Sequence, residues 1–234
     1  MAKLETAIGR PSVVNLVLER VKDALISQEL KPGDKLPTEM ELCKSLNVGR
    51  TSVREAVKML EALGVAEVRR GDGTYISETL NASSLNPLIF ALALQSGTNA
   101  ELVELRLLVE IGFVQLAIDK ITDQDIQDLA VIVEKQREAV MAGGANFGEL
   151  DLEFHYTILN ATRNPFVIEL GRTVLELFRA SIIRTSTLVP ARSLEDHERI
   201  LEAISGRDKD AAQAAVFKSF EVWKEYVRIP STET

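Results

Sequence analysis

Cysteine is almost absent from this sequence, because Cys43 is the only one among 234 residues. A single thiol excludes an intrachain disulfide and any zinc site built from several cysteines. Cys43 stands between Leu42 and Leu46, which predicts a small buried apolar side chain. Aromatic residues are also scarce, at 5%, while Ala, Leu, Val and Glu are abundant. This composition favours helices over a β-sandwich.

Long apolar runs are missing as well. The longest, Leu88 to Leu94, is too short to span a bilayer. Residues 1–12 contain no apolar segment of the kind found in signal peptides. A hydrophobic content of 46% and a charged content of 26% are typical of soluble globular proteins. These features predict a soluble, cytoplasmic protein that does not associate with a membrane.

The sequence as a whole also lacks an excess of basic residues. Its formal net charge is −8, which at first disfavours a nucleic-acid partner. The charge is unevenly distributed, however. Residues 1–78 hold 12 basic and 12 acidic side chains, so the rest of the chain supplies the whole negative balance. The first 78 residues can therefore carry a DNA-binding surface.

The segment from Glu39 to Leu63 predicts two short helices joined by a tight turn. Pro37-Thr38 is a helix start signal, and Asn47-Val48-Gly49 contains two residues that tolerate left-handed backbone angles. The second helix begins near Arg50 and opens with arginines and short hydroxyl side chains instead of core residues. This pattern is typical of a helix-turn-helix, whose second helix enters the major groove. An αα-hairpin with a solvated arginine face would produce the same pattern.

The residues around this segment favour the DNA-binding interpretation. An amphipathic helix is predicted over residues 13–30. Residues 65–68 and 74–76 are β-prone and flank Arg69-Arg70-Gly71-Asp72-Gly73, which predicts a hairpin with a basic tip. A helix, a helix-turn-helix and a hairpin in this order define a winged helix. The hairpin tip, or wing, can place backbone and arginine side chains against phosphates or a minor groove.

The stretch KPGDKLPTEMELCKSLNVGRTSVREAVKMLEALGVAEVRRGDGTYI resembles the DNA-binding domain of GntR-type bacterial transcription regulators. The resemblance covers about 65 residues and rests on the motifs PG-x-x-LP-(S/T)-E, R-x-x-V-R-E-A and G-x-G-T. It implies that Arg50 and Arg54 contact base edges or nearby phosphates. Together with the wing, it predicts eight DNA-binding residues: Thr38, Arg50, Thr51, Ser52, Arg54, Arg69, Arg70 and Gly73.

One position departs from the GntR pattern. Met40 stands where the family usually has arginine. The resemblance therefore implies that a DNA contact made there by relatives is lost, or is replaced by another residue such as Lys44.

Residues 78–86 are polar and rich in Asn and Ser, which predicts a linker. After residue 86 the spacing of apolar residues is typical of helices. Seven helices are predicted, near residues 86–96, 99–120, 122–142, 146–161, 164–186, 193–205 and 208–228. Short separators between them, one of which is Pro190, predict an antiparallel bundle.

The predicted fold class is mostly α. It combines an N-terminal winged helix-turn-helix, with a small β-hairpin wing, and a C-terminal all-α antiparallel bundle of six or seven helices. The predicted domains are residues 1–78 for DNA binding, 79–98 for a linker and the first bundle helix, and 99–230 for effector binding and dimerisation.

Both histidines of the sequence lie in the predicted bundle. Asp151 and His155 are four residues apart, so their side chains project from one face of a helix. His197 lies near the start of a later helix. A carboxylate and two imidazoles that converge from two helices suit a divalent transition metal such as Zn²⁺, Ni²⁺ or Mn²⁺. A solvated ion pair between Asp151 and His155 is the alternative, because such pairs are common on helices.

The motifs L-D-x-x-F-H-x-x-I, E-D-H-E-R-I-L-E-A-I and RDKDAAQAAV resemble the FCD effector domain of the FadR branch of GntR regulators. In many such domains one Asp and three His hold a metal, and a small carboxylate effector completes its coordination. The resemblance implies that Asp151, His155 and His197 are three of these ligands. The fourth histidine is replaced by Ser219, a poor metal ligand. The same polar residues can instead hydrogen-bond the effector directly.

Arg106 lies on the apolar stripe of a predicted helix, with Leu102, Val109 and Phe113. A buried guanidinium needs a partner. One interpretation is a salt bridge with Glu110, four residues later. The other is a bidentate clamp on the effector carboxylate, which the resemblance to the E-x-R-x-x-L-E pattern of the FCD family favours. The predicted effector-binding residues are therefore Arg106, Asp151, His155, His197 and Ser219.

These features predict a homodimeric transcription regulator, most simply a repressor. It would bind a palindromic operator in double-stranded DNA and respond to a sugar acid, hydroxy acid or dicarboxylate. A metal-dependent hydrolase with an accessory winged helix is a rival, but no carboxylate or nucleophile motif beside the histidines supplies a general base. An acyl-CoA-responsive regulator like FadR is a third possibility, which the retained Asp151, His155 and His197 disfavour.

Overall fold

The computed structural model describes residues 12–78, 87–94 and 99–226. The chain divides into two compact units, Met1–Pro87 and Leu88–Thr234. The described residues form ten helices and one two-stranded antiparallel sheet. The predicted fold class is confirmed. Most of the predicted linker (79–86), the separator at 96–98 and the chain beyond residue 226 lie outside the described residues.

The N-terminal unit contains three helices followed by a β-hairpin. These elements are α1 (Val13–Ile26), α2 (Glu39–Leu46), α3 (Arg50–Ala62), β1 (Ala66–Arg69) and β2 (Gly73–Ile76). The strands pair in register from Ala66 opposite Ile76 to Arg69 opposite Gly73. Helix α1 ends four residues earlier than the sequence predicts, where Gln28 takes a positive φ of 61°.

Side-chain caps determine where α2 begins. Thr38 accepts a hydrogen bond from the Glu41 backbone, and the Glu41 carboxylate accepts one from the Thr38 N–H at 2.8 Å. This reciprocal capping box satisfies two donors that helix geometry leaves without partners. The turn after α2 needs a left-handed angle at only one of the two residues that tolerate it. Only Asn47 is left-handed, at φ 52°, while Gly49 is extended at φ −72°.

A small apolar core holds the winged helix together. It consists of Val21 from α1, Leu36, Leu60 from α3, and Ala66 and Ile76 from the two strands. Each of these side chains is at most 5% exposed. The sequence predicts Cys43 to be buried. In the structure it is only half-buried on α2 and is not part of this core.

The second unit is a bundle of seven described helices. They are α4 (Pro87–Ala93), α5 (Asn99–Ile118), α6 (Asp123–Met141), α7 (Phe147–Ala161), α8 (Pro165–Leu188), α9 (Pro190–Ser205) and α10 (Lys209–Tyr226). The sequence predicts Pro190 to be a separator between two helices. In the structure it is instead the first residue of α9. Proline is tolerated there because the first N–H groups of a helix have no partner within it.

Helix α7 is the centre of this bundle, since it packs against α5, α6, α8 and α9. Gly148 lets α8 approach closely, because a Cβ on Gly148 would lie 2.8 Å from the Ile183 Cα. Gly171 has the same function against the Leu159 side chain. The central position of α7 explains why Asp151 and His155 are buried although both are polar. Within the described residues, no helix is both long and apolar enough to cross a membrane.

Candidate effector site and DNA-reading surface

Asp151, His155 and His197 converge inside the helical bundle. Helix α7 carries the first two, and α9 carries His197. The Asp151 carboxylate lies 3.4 Å from His155 Nε2 and 3.6 Å from His197 Nε2. One ligand atom from each residue lies within 4.8 Å of the others, and each residue is at most 5% exposed. The structure therefore contains a buried cluster instead of the solvated ion pair between Asp151 and His155.

Gln136 of α6 orients the His197 ring. Its Nε2 donates to the Leu150 carbonyl at 3.0 Å, and its Oε1 lies 2.9 Å from His197 Nδ1. An amide oxygen only accepts, so Nδ1 carries the proton and Nε2 presents its lone pair to Asp151. The ring also stacks on Phe154, with the two centroids 4.2 Å apart. His197 is thus held in the tautomer and orientation that a metal ligand needs.

Glu110 performs the corresponding function for His155. Glu110 Oε1 lies 3.0 Å from His155 Nδ1, which leaves Nε2 directed to Asp151. Glu110 Oε2 lies 3.3 Å from Arg106 Nε, and both side chains of this ion pair are nearly inaccessible. The Arg106 guanidinium also lies over the Phe220 ring, 5.1 Å from its centroid. The salt bridge predicted as one interpretation of Arg106 is therefore present.

The two histidines differ in protonation. Burial disfavours the charged form of His155, but the charges of Glu110 and Asp151 outweigh it and raise its pKa to about 9. Burial lowers the pKa of His197 to about 4, since Asp151 opposes it only in part. The pKa of Asp151 is lowered: burial opposes this, but the neighbouring histidines prevail. Without a metal, a protonated His155 therefore faces an ionised Asp151, beside a neutral His197, and a metal bound at His155 Nε2 would displace that proton.

The donor set of this cluster fits a divalent transition metal. Two imidazole nitrogens and a carboxylate are ligands that such ions accept, and three protein ligands leave coordination positions open. Asp151 Oδ1 is buried and, among the described residues, meets His155 Nε2 only at 3.4 Å and without good hydrogen-bond geometry, so a bound cation would give it a closer partner. A bound metal would act as a Lewis acid that coordinates an anionic ligand.

The cluster opens into a cavity between α5, α7, α8, α9 and α10. All five predicted effector-binding residues line it, together with Thr185, Ser193 and Asp196. The cavity volume is about 50 Å³, which is enough for a few water molecules. Ser219 faces the cavity but donates its hydroxyl hydrogen to the Val216 carbonyl at 2.8 Å. It therefore offers an oxygen lone pair where the FCD pattern has an imidazole.

The predicted DNA-binding residues lie at the N-terminal ends of α2 and α3 and on the wing. Thr38 is the cap of α2, while Arg50, Thr51, Ser52 and Arg54 occupy the first turns of α3. Arg54 donates to the Glu39 carboxylate through Nη2 at 3.1 Å and Nε at 3.3 Å. Arg50 is exposed, and its Nη2 lies 3.8 Å from the sulfur of Met40. Met40, 56% exposed, thus lies beside the guanidinium at the start of the recognition helix.

The wing has a basic tip, and the side chains next to the tip contact one another. The Arg69 guanidinium stacks on the Tyr75 ring, 4.2 Å from its centroid. Asp72 accepts hydrogen bonds from Lys35 at 2.8 Å and from the Tyr75 hydroxyl at 2.7 Å. Arg70 is exposed in the turn. A Cβ on Gly73 would lie 2.5 Å from Lys35 Cε, so glycine permits this close approach.

Sequence reasoning missed three contributors to the bundle site. Gln136 lies 61 positions from His197 and carries no motif. Glu110 was considered only as a partner for Arg106, although its other oxygen faces His155. Thr185 lies in a helix where no pattern distinguished it. Buried polar residues at core positions of amphipathic helices are the only signal that could have drawn attention to them.

A winged helix with arginines in the first turns of its recognition helix, joined to a helical bundle, is typical of DNA-binding regulators. Comparison with known families agrees. The FCD domain family matches residues 101–221, and the family described as bacterial regulatory proteins, gntR family, matches residues 14–76. The chain therefore belongs to the GntR family of bacterial transcription regulators, in the branch with an FCD domain.

Individual relatives agree with this assignment. The HTH-type transcriptional regulator LutR of Bacillus subtilis is 34% identical over 196 residues, covering 80% of this chain and 89% of LutR. The HTH-type transcriptional repressor NanR of Cronobacter sakazakii is 28% identical over 217 residues, covering 89% and 83%. The solved structure of Streptococcus agalactiae GntR has a TM-score of 0.66 at 30% identity, covering 92% of this chain and 100% of that chain. The matched families and relatives are transcription regulators rather than enzymes.

Proposed function

We propose that this chain is a homodimeric repressor that binds a palindromic operator and is released by a small carboxylate. The carboxylate binds in the bundle cavity, with a divalent metal held by Asp151, His155 and His197. The protein acts in the cytoplasm, where operator DNA is found. The effector binds the DNA-free state more tightly than the operator-bound state, because a ligand shifts an equilibrium only through such a difference.

One observation carries the proposal. Arg106, 5% exposed, lines the same cavity as the three candidate metal ligands. A guanidinium and a metal ion on one cavity both attract an anion, and a carboxylate can bind each with one of its oxygens or with both. The size of the cavity favours a small acid. A cavity of about 50 Å³ suits a small acid better than the acyl chain of a CoA thioester, which favours the small-acid alternative.

The repressor assignment is supported by the name of one relative, the transcriptional repressor NanR. The homodimer is supported by apolar side chains on α5. Leu108 is 72% exposed and Leu116 is 38% exposed. They lie eight residues apart, on the same side of the helix, with exposed Gly112 between them. A second copy of the chain would bury this stripe, as expected for a two-fold contact.

The direct experiment combines DNA binding with ligand screening. The full chain is mixed with the promoter fragment of its own gene, and small sugar acids, hydroxy acids and dicarboxylates are added with and without a chelator. We expect at least one acid to release the DNA and to raise the melting temperature. A ligand at 100 times its Kd adds about 2.7 kcal/mol to the free energy of unfolding. The chelator should abolish both effects.

The variant His155→Ala provides the control. It removes one metal ligand and should bind the promoter fragment like the wild type, but it should no longer respond to the acid. If no acid stabilises the wild-type protein and the chelator changes nothing, the proposed effector site is wrong.

A further inference from the structure

Met40 is a large apolar side chain that lies among the predicted DNA-binding residues. It is the second residue of α2 and is 56% exposed, whereas Leu42 of the same helix is buried. Single exposed apolar residues are common on protein surfaces and need no explanation by themselves. Met40 differs because of its position: its sulfur lies 3.8 Å from Arg50 Nη2, at the start of the recognition helix.

Consecutive residues at the start of α2 contact the first turns of α3. The Glu39 carboxylate accepts hydrogen bonds from Arg54 at 3.1 and 3.3 Å, and Met40 contacts Arg50. Arg50 and Arg54 are four residues apart and therefore lie on one side of α3. The first turns of the two helices thus form one continuous surface. The start of a recognition helix lies in the major groove, so a side chain that contacts Arg50 is within reach of the base edges.

The chemistry of a thioether side chain selects among the groups that DNA presents. Met40 carries no charge and no hydrogen-bond donor, so it does not suit a phosphate or a polar base edge. Of the four bases, only thymine presents a methyl group in the major groove. A methionine side chain is flexible and polarizable and packs well against such a group. The partner that fits Met40 is therefore a thymine.

We propose that Met40 is a specificity-determining residue, which contacts the C5-methyl group of a thymine in each operator half-site, next to the base that Arg50 contacts. The inference rests on the operator-binding part of the proposed function and is independent of the effector and the metal. It assigns this chain an operator whose half-site requires a thymine beside the Arg50 contact.

The test removes the methyl group from the DNA. Operator sequences are first selected from a random duplex library with the full chain, and each thymine of the selected half-site is then replaced in turn by uracil, which pairs identically but lacks the C5-methyl. Fluorescence anisotropy measures the affinity of the wild type and of Met40→Ala for each duplex. At one position the replacement should weaken wild-type binding roughly 3- to 5-fold, the factor expected when one buried methyl group is lost. The same replacement should leave the affinity of Met40→Ala unchanged.

Met59→Ala is the matched control. Met59 is also an exposed methionine, at 43%, but it lies in the last turn of α3. This variant should respond to uracil as the wild type does.

A second variant, Met40→Lys, tests whether this side chain reaches the DNA. A cation there should increase the salt dependence of binding by about one counterion. Met40→Ala should leave the salt dependence unchanged, because methionine releases no counterion.

Each other outcome contradicts one of the two proposals. If the selected half-site contains no thymine, or if Met40→Lys has the salt dependence of the wild type, Met40 does not contact a thymine. If uracil weakens the wild type and Met40→Ala equally, or if Met40→Ala binds more weakly while no uracil affects the wild type, Met40 acts only through Arg50 or not at all. If the full chain selects no sequence, or if Arg50→Ala binds the selected duplex as tightly as the wild type, the predicted recognition surface is wrong.

Discussion

Gln136 determines which nitrogen of His197 faces Asp151. Because its Nε2 donates to the Leu150 carbonyl, its Oε1 must face His197 Nδ1, and Nε2 of the ring is left facing the Asp151 carboxylate. Gln136 is fully buried, so water does not compete for these bonds.

Replacement of this amide should therefore weaken metal binding. Gln136→Met keeps a long side chain but removes both hydrogen bonds. We expect a loss of roughly 10- to 100-fold in Zn²⁺ affinity, the usual cost of removing an outer partner of a ligating histidine. Competition with a fluorescent chelator measures the affinity, and ¹⁵N NMR of the metal-free protein reports the tautomer of His197.

The control is Gln115→Met, because Gln115 also donates its amide to a backbone carbonyl, that of Lys209 at 2.7 Å, but does not line the cavity. This variant should bind Zn²⁺ like the wild type. Equal affinities in the wild type and Gln136→Met, together with an unchanged His197 tautomer, would show that Gln136 does not position the ring.

The buried ion pair between Arg106 and Glu110 should respond asymmetrically to substitution. Arg106→Met removes the guanidinium of a buried ion pair and leaves His155 as the remaining cation beside Glu110. Loss of one partner of a buried pair costs up to about 3–5 kcal/mol. Arg106→Met/Glu110→Gln removes both charges of the pair and should recover part of this free energy of unfolding. Urea denaturation of the metal-free proteins measures both variants. A double variant no more stable than Arg106→Met would show that the loss does not come from the Glu110 charge that Arg106 neutralises.

Substitutions in the recognition helix and in the wing should have different effects on DNA binding. Arg50→Ala should weaken binding to the operator by about 1–3 kcal/mol and relax base preference, because a base contact carries sequence information. Arg70→Ala should weaken binding to all sequences alike and reduce the salt dependence by about one counterion. Fluorescence anisotropy with specific and random duplexes at several salt concentrations separates the two.

The matched control for this experiment is Arg20→Ala. Arg20 is exposed on α1 and pairs with Glu29, outside the predicted DNA-binding residues. It should leave operator affinity near that of the wild type. If Arg50→Ala and Arg70→Ala reduce specific and random binding by the same factor, Arg50 does not read bases.

The start of α6 predicts a pH-dependent stability, because Thr122 and Asp125 form a capping box there. Burial raises the pKa of Asp125, but hydrogen bonds from Thr122 and Arg163 outweigh it, so the folded-state pKa is below the usual value of 3.8. A depressed carboxyl pKa stabilises the fold above the unfolded-state value, and this stabilisation is lost as the pH falls through the folded-state pKa. Asp125→Asn should therefore cost about 1 kcal/mol near neutral pH, and the difference from the wild type should shrink below pH 4.

Urea denaturation between pH 3 and 7 measures this difference, with Asp128→Asn as the control. Asp128 lies one turn further along α6 and accepts from Gln124 at 2.9 Å, but it takes no part in the cap. A cost of Asp125→Asn that stays constant down to pH 3 would contradict the capping-box explanation.

Local signals were sufficient for much of the fold. The start of α2 follows from Pro37-Thr38 and the reach of Glu41, because a capping box involves residues only three apart. Asn47 and the glycines of the wing mark turns for equally local reasons. The positions of Asp151 and His155 on one face of α7 follow from the helical repeat. Pro190 is the exception: proline is found both after the end of a helix and at the first position of the next one, so its presence alone does not distinguish a separator from a helix start.

The amino-acid sequence by itself determined the fold class, the family and the residue types available at both sites, because periodicity, caps and motifs act over a few residues. Only the tertiary structure decided how the bundle site is completed. Gln136 approaches His197 from another helix, the second oxygen of Glu110 faces His155, and the Thr185 hydroxyl beside the cavity has no hydrogen-bond partner in the described part of the chain. These relationships depend on how the helices pack together. The repeat of a single helix predicts which face a residue occupies, but not which atom it meets there.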